Sequence, residues 1–192
     1  MIAWFDTWTY EVITSFMLPW LSTAMGVITY LGGIVALLII CAVLLIVPKL
    51  RKDYGVPAVA ATIASAALAY ILKLTIARPR PDTLQSLTEV SYSFPSGHAM
   101  VSAALYVTLA LIIWRQLKGY RVRAVVPVAC SVLVLAIGLS RVYLGAHYVS
   151  DVIVGWILGS LIAYGSYWIL VRRDTPNSCS LEAEVQPTEA DN

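Results

Sequence analysis

Charge is scarce in this chain of 192 residues: Asp, Glu, Lys and Arg together make up 12% of it, and histidine occurs only twice. A soluble domain carries about a quarter charged residues, so there is not enough polarity here for a solvated globular surface. Hydrophobic residues reach 59% and the mean hydropathy is +0.79, which indicates a membrane protein. No Lys or Arg precedes Lys49, so a basic segment ahead of a short apolar core is missing and no cleavable signal peptide is expected. The three cysteines (Cys41, Cys130 and Cys179) have no metal or redox spacing. Two of them lie within apolar runs, where they read as small buried hydrophobes. Internal repeats are also lacking, which argues against a solenoid. A chain of this length holds a handful of spanning helices and one compact domain.

What is present is long apolar runs. A helix crosses the hydrocarbon layer in about 20 residues. Five segments meet that length: Met25–Val47, Tyr54–Ala77 with Lys73 near one end, Ala99–Trp114, Ala124–Ser140 and Val152–Val171. Gly155 and Gly159 stand in GxxxG spacing within the last, which reads as a helix-packing face. Residues 1–24 place apolar side chains at positions 5, 8, 12, 13, 16 and 20, a helical periodicity. Asp6 and Glu11 would be costly inside lipid, and Trp4, Trp8 and Trp20 suit the headgroup level. This segment is therefore expected to be an interfacial amphipathic helix rather than a sixth span. The expected fold is all-α: a membrane bundle of about five transmembrane helices with that helix at its start. Residues 1–173 would form the membrane domain.

Lys and Arg set the orientation. Lys49, Arg51 and Lys52 follow the first span, Arg115, Lys118, Arg121 and Arg123 follow the third, and Arg172 and Arg173 follow the fifth. The positive-inside rule makes these three places cytoplasmic. Residues 174–192 hold five acidic residues and no basic one, and are expected to form a disordered cytoplasmic tail.

Parity then collects a polar cluster on the opposite face. Lys73 and "RPRPD" end the second span, "PSGH" opens the third, and "SRVYLGAHYVSD" joins the fourth to the fifth. Lys73, Arg78, Arg80, His98, Arg141, His147 and Asp151 thus share one side, both histidines among them. Singly, each has an ordinary explanation: Lys73 can snorkel, the arginines can anchor at the interface, and Asp151 can be a first-turn acid. Jointly these explanations weaken, since an ionisable group near a span's centre costs roughly 2.5–3.5 kcal/mol and less towards its ends. Clustered cations need an anion, and Asp151 cannot neutralise them all.

Phosphate is the simplest such anion. Arginine forks match its oxygens, and lysine adds a mobile charge. Pro95-Ser96-Gly97 leads into a helix whose first N–H groups lack internal partners, with Gly97 permitting close backbone approach and Ser96 offering a hydroxyl. His147 and Asp151 are spaced i, i+4 and share a face if a helix begins there. A carboxylate on one imidazole nitrogen fixes the tautomer and leaves the other nitrogen free as a nucleophile.

Lys73-x6-Arg80-Pro81, Pro95-Ser96-Gly97-His98 and Ser140-Arg141-x5-His147-x3-Asp151 together resemble the three signature motifs of the type 2 phosphatidic acid phosphatase superfamily. Its members include bacterial membrane lipid phosphatases, glucose-6-phosphatase and vanadium haloperoxidases. In the duplicated "RPRP", the six-residue spacing from Lys73 selects Arg80. Bacterial lipid phosphatases of this type usually have six spans, and here the first is missing or reduced to the amphipathic segment. The resemblance implies that His147 attacks phosphorus and forms a phosphohistidine, that Asp151 holds and polarises it, and that His98 protonates the leaving oxygen. It implies that Lys73, Arg80, Arg141, Ser96 and the Gly97 amide hold the phosphoryl oxygens.

A zinc site at His147 and Asp151 is disfavoured, because no cysteine is near and clustered cations repel a divalent ion. No metal and no cofactor is expected. Two rivals keep the same pocket: transfer of the phosphoryl group to another lipid or sugar, and phosphate binding without catalysis. The expected partners are a lipid phosphate substrate and membrane lipids, with no nucleic acid. Undecaprenyl diphosphate is the leading substrate, ahead of phosphatidylglycerol phosphate, phosphatidate and lipid A phosphates. The expected location is the cell membrane, with the active site extracytoplasmic.

Overall fold

The computed structural model describes residues 2–81, 91–116 and 119–172. Every regular element among them is helical. In chain order these are α1 (Ile2–Ser15), α2 (Pro19–Tyr30), α3 (Ile34–Ile46), the single turn α4 (Pro48–Leu50) and a π-helical turn Arg51–Gly55. Then come α5 (Val56–Ile76), α6 (Gly97–Gln116), α7 (Tyr120–Tyr143), α8 (Val149–Tyr167) and a closing π turn Trp168–Arg172. The acidic tail expected over 174–192, with Arg173, Lys118 and Cys179, lies outside the described residues.

Five stretches are long and apolar enough to cross a membrane: Pro19–Ile46, Pro48–Ile76, Gly97–Gln116, Arg123–Tyr143 and Val149–Val171. They match the five expected spans, with two differences. The first and second each begin six residues earlier, at Pro19 and Pro48, because proline is well placed to open a helix at its first position. The first span is also broken. The chain leaves the helix after Tyr30 and re-enters it at Ile34, across Leu31-Gly32-Gly33. A backbone group freed within a span must find a partner. Here the Tyr106 hydroxyl donates to the Leu31 carbonyl at 3.0 Å. Gly32 lies so close to α7 that a Cβ would stand 2.4 Å from Cγ2 of Ile137.

α1 is too short to span, as expected, and Trp4, Phe5 and Trp8 are exposed along its outer side. The Trp4 and Trp8 rings stack at 6.3 Å. Asp6 departs from expectation. It is 1% exposed, on the same face as Ile13, which packs against the cluster of Ala99, Val142 and Val152. Asp6 therefore turns into the protein, while Glu11 stays exposed. Tyr143 holds the chain just beyond, accepting the Leu18 N–H at 2.9 Å.

α6 is the central helix. Met100, Ala103, Ala104, Leu105 and Ile112 are fully buried, and α5, α7 and α8 surround it. Its run of alanines allows close approach, above all by α8. The GxxxG face is the contact: a Cβ on Gly155 would lie 3.0 Å from the Ser96 carbonyl oxygen, and one on Gly159 only 2.2 Å from that of Met100. Backbone, not a movable side chain, blocks any enlargement there. Gly159→Ala is therefore expected to destabilise the bundle by about 1–3 kcal/mol, the usual cost of overpacking. Gly165→Ala, with nothing within 4 Å of the new methyl, should not. Thermal unfolding of both variants in the same detergent checks this; equal midpoints would contradict it.

Candidate active site

The segments that follow α5 and α7, and the one that leads into α6, meet at one end of the bundle. Ala77 ends α5 in the left-handed conformation, φ 48°, and its N–H returns to the Lys73 carbonyl. That reversal sends Arg78 and Arg80 back over the helix ends. Ser93 N–H then bonds the Arg78 carbonyl at 2.9 Å and draws the strand ahead of α6 alongside. After α7, Gly145 takes φ 71°, and the N–H groups of Ala146 and His147 both turn back to the Arg141 carbonyl, at 3.0 and 3.3 Å. A left-handed residue just past a helix end is the usual way to reverse a chain there. The reversal delivers His147 beside the opening of α8.

His147 is 2% exposed and its two ring nitrogens have distinct neighbours. Nη1 of Arg80 lies 3.3 Å from Nε2. Guanidinium can only donate, so Nε2 bears the lone pair and Nδ1 the hydrogen. Nδ1 faces Oγ of Ser93 at 3.5 Å and Oδ2 of Asp151 at 3.7 Å. Burial lowers the pKa of His147 from the ordinary 6.5 to about 4; Asp151 opposes the shift, while Arg80, Arg141 and Lys73 add to it. At neutral pH the imidazole is neutral and its Nε2 lone pair is available.

Asp151 is fully buried behind that imidazole. Its Oδ2 accepts the Ser93 hydroxyl and the Tyr148 N–H, the latter at 3.0 Å. Its Oδ1 accepts Nη1 of Arg78 at 2.7 Å. The same guanidinium reaches Asp6 Oδ2 through Nη2, also at 2.7 Å, and lies 4.1 Å from the centre of the Tyr148 ring. Asp151 thus caps the first turn of α8 as well as facing His147.

A cavity of about 340 Å³ has His147 in its lining. Lys73, Arg80, Ser91, Gly97, His98 and His147 line one end. Lys73 donates to the Tyr92 carbonyl, and Arg80 is fixed by the Ser91 carbonyl at 2.6 Å and the Ala146 carbonyl at 2.7 Å. The other end is apolar, walled by Leu37, Leu38 and Cys41 of α3 and by Ile63 and Ala66 of α5. A second cavity, about 550 Å³, reaches His98 from between α2 and α7, past Ser22, Thr29, Tyr30 and Arg141.

Five of the eight site residues expected from sequence, Lys73, Arg80, Gly97, His98 and His147, therefore share one cavity, with Asp151 directly behind. Arg141 is placed elsewhere. It is 3% exposed, donates from Nη1 to Thr29 Oγ1 at 3.2 Å and lines the second cavity. Ser96 is fully buried, and its hydroxyl sits 3.5 Å from the Ala99 N–H at the start of α6, the place of a helix cap. Sequence reasoning missed Ser93, Asp6 and the role of Arg78. Ser93 carries no signal beyond preceding the "PSGH" turn. Asp6 carries one: it is seven residues from Ile13 and so lies on the same helical face. Among the described residues, no three His, Cys, Asp or Glu side chains are grouped so as to hold a metal ion.

Comparison with known proteins gives the site its family. Residues 54–174 match the PAP2 superfamily, a stretch that contains all three motifs. Phosphatidylglycerophosphatase B of Bacillus subtilis is 33% identical over 150 residues, covering 76% of this chain and 73% of that one. An undecaprenyl-diphosphatase of Sulfolobus acidocaldarius is 33% identical over 138 residues, 68% of this chain and 61% of its own. A lipid A 1-phosphatase of Rhizobium etli is 33% identical over 133 residues, 64% of this chain and 50% of its own. The crystal structure of the PAP2-type phosphatidylglycerolphosphate phosphatase of Bacillus subtilis superposes with a TM-score of 0.74 at 28% identity, covering 95% of this chain and 87% of that one. With its apolar helices and these relatives, the chain is a multi-pass membrane protein that belongs to the PAP2 superfamily of phosphatases.

Proposed function

We propose that this protein is a metal-independent lipid phosphatase that works through a phosphohistidine on His147. One observation carries the reading: the polar end of the cavity at His147 is continuous with an apolar groove between α3 and α5. From Lys73 to Thr62 the groove follows α5 for about 16 Å at 1.5 Å per residue, room for part of an acyl or prenyl chain. A phosphate whose leaving group is greasy fits both ends at once.

In the first step Nε2 of His147 attacks phosphorus and the bond from phosphorus to the leaving oxygen breaks. His98 gives that oxygen its proton, and the Nδ1–H of the new imidazolium faces Asp151. In the second step water attacks phosphorus, its proton passes to His98, and the P–N bond breaks. Inorganic phosphate departs and His147 is neutral again. Lys73 and Arg80 face the phosphoryl oxygens throughout, with Arg141 adding charge from the side of the second cavity; such preorganised cations supply much of phosphoryl-transfer catalysis. No step needs a metal. The second cavity gives water a path to His98 that the lipid chains do not occupy.

Undecaprenyl diphosphate is the substrate we favour. An extracytoplasmic site suits recycling of a polyprenyl carrier, and the positive-inside pattern puts the site there. The relatives divide among phosphatidylglycerophosphate, undecaprenyl diphosphate and lipid A as named substrates, which supports the lipid phosphate class above any one member. A phosphotransferase would use the same phosphohistidine and seat its acceptor in the second cavity.

A panel of these lipid phosphates, with and without a strong chelator, tests the reading. Undecaprenyl diphosphate should give the highest kcat/KM, unchanged by chelator. His147→Ala should abolish turnover and leave no acid-labile phosphoenzyme. His98→Ala should be slower by about 10²–10⁴-fold, partly recovered with a nitrophenyl leaving group that needs no proton. Product that appears only with an added lipid or sugar acceptor would make the enzyme a transferase, and robust turnover by His147→Ala would remove the phosphohistidine.

The pH dependence has a defined sign. A pKa lowered to about 4 keeps His147 neutral as pH falls through 6.5. Once corrected for ionisation of the substrate, the acid limb of kcat/KM assigned to this residue should lie near 4; a limb at its ordinary value would contradict the buried, neutral nucleophile. Sidedness has its own measurement. Cys179 should react with an impermeant thiol reagent only after the cytoplasmic face is opened, and labelling in intact cells would invert the topology.

A further inference from the structure

Asp6 is not in any of the three motifs and precedes the stretch matched by the family, yet it is buried against the residues that hold the nucleophile. Its Oδ2 accepts from Arg78 Nη2 at 2.7 Å and from the Ser150 hydroxyl at 2.6 Å, and its Oδ1 accepts the Ser150 N–H at 3.1 Å. Ser150 is next to Asp151, and its hydroxyl accepts a second bond from Arg78 Nη1 at 2.7 Å. One guanidinium therefore spans two carboxylates, one from α1 and one from α8. Through this bridge the N-terminal helix touches the far oxygen of Asp151, while the near oxygen faces His147.

We propose that Asp6 is a positioning residue for phosphoryl transfer: through Arg78 it fixes the Asp151 carboxylate towards His147 and balances the guanidinium charge. Charge assigns Asp6 this role as well as geometry. With Asp6, Arg78 and Asp151 all ionised, the trio carries one net negative charge, available to the imidazolium that forms on His147. Without Asp6, Arg78 keeps Asp151 as its one carboxylate partner among the described residues, and the trio is neutral. The attack by Nε2 then develops its positive charge beside a carboxylate whose own charge Arg78 offsets in full. Tyr148, whose ring covers Arg78, and Lys73, Arg80 and Arg141, which act on His147, supply no replacement anion. The seating of α1, with Trp4 and Trp8 on its outer side, thereby becomes part of the catalytic arrangement.

This inference rests on the lipid phosphatase reading, and two measurements on the full chain in detergent separate them. The first is phosphate release from farnesyl diphosphate and dioctanoyl phosphatidate. Asp6→Asn should lower kcat about tenfold, the size of effect seen when a group that orients a catalytic side chain is removed, with KM within about twofold. Adding Arg78→Gln restores the net charge of the trio, so Asp6→Asn/Arg78→Gln should recover at least about threefold of that loss, a coupling that a merely structural latch would not give. The second measurement needs no activity. With two histidines in the chain, ¹⁵N-histidine labelling gives two imidazoles, assigned with His98→Ala. Asp6→Asn should shift the His147 pair from the single Nδ1–H tautomer and leave His98 unchanged. If Asp6→Asn unfolds the protein, Arg78→Lys, which keeps one charge but cannot fork to both acids, should show the same kcat loss and the same tautomer shift. A kcat within twofold of wild type, a loss confined to KM, a double variant no faster than Asp6→Asn, or an unchanged His147 spectrum would each overturn the role of Asp6. Failure of the wild type to release phosphate from either lipid would instead sink the phosphatase reading, with the spectrum still deciding the fate of Asp6.

Discussion

Arg78 stands between two buried carboxylates at the end of a bundle that otherwise faces hydrocarbon. Neither acid is tolerable there alone, because a lone buried charge costs several kcal/mol and an unpaired neighbour of the same sign costs more. With the guanidinium between them, Asp6 ties down α1, Asp151 caps α8, and the Arg78 carbonyl holds Ser93 ahead of α6. Three elements distant in sequence converge on that one residue. His147, the Arg80 guanidinium that faces it and the turn that opens α6 are arranged around this fixed point.

A shortage of charge explains why so much of the site was legible in the sequence. In a chain this apolar, a Lys, Arg or His near a span end is a rare event, and helix parity alone put Lys73, Arg80, His98, His147 and Asp151 at one end. The motif spacing then separated Arg80 from Arg78, and the structure keeps them apart in the same sense: one meets the imidazole, the other the acid behind it. The five spans were legible for the same reason, since runs of about twenty apolar residues have few other uses. What was not legible depended on contact between distant segments. Asp6 read as a group to be kept out of lipid, and it is, but by burial in protein rather than by exposure to water. Periodicity alone gives the polar face of α1 without saying whether that face meets solvent or a cation 72 residues away. Ser93 and Thr29 are ordinary residues by every local measure and matter only because of what folds against them.

The comparisons and the geometry agree at the level of family and diverge in informative places. The motif stretch matches over 54–174, whereas the superposition on the Bacillus structure extends over 95% of this chain, so the likeness reaches well beyond the motif stretch. Elements ahead of that stretch shape the approaches to the phosphate end. α3 forms one wall of the apolar groove, and α2 forms one wall of the second cavity. The named relatives differ in the lipid phosphate they act on, and these walls are where such a difference is most simply sought, because a phosphate group is common to all of them.

The interruption at Leu31-Gly32-Gly33 carries a consequence for how such walls can diverge. Gly32 borders the lipid-shaped groove, Gly33 borders the opposite cavity, and Ile34 borders both. Gly32 is also pressed against Ile137, with no space for even a methyl group. The two approaches to His98 thus share a single partition three residues thick, seated on α7. Any replacement that widens one side must take its volume from the other or lift the partition off its seat. The apolar groove and the second cavity are, at this point of the chain, one adjustable dimension rather than two.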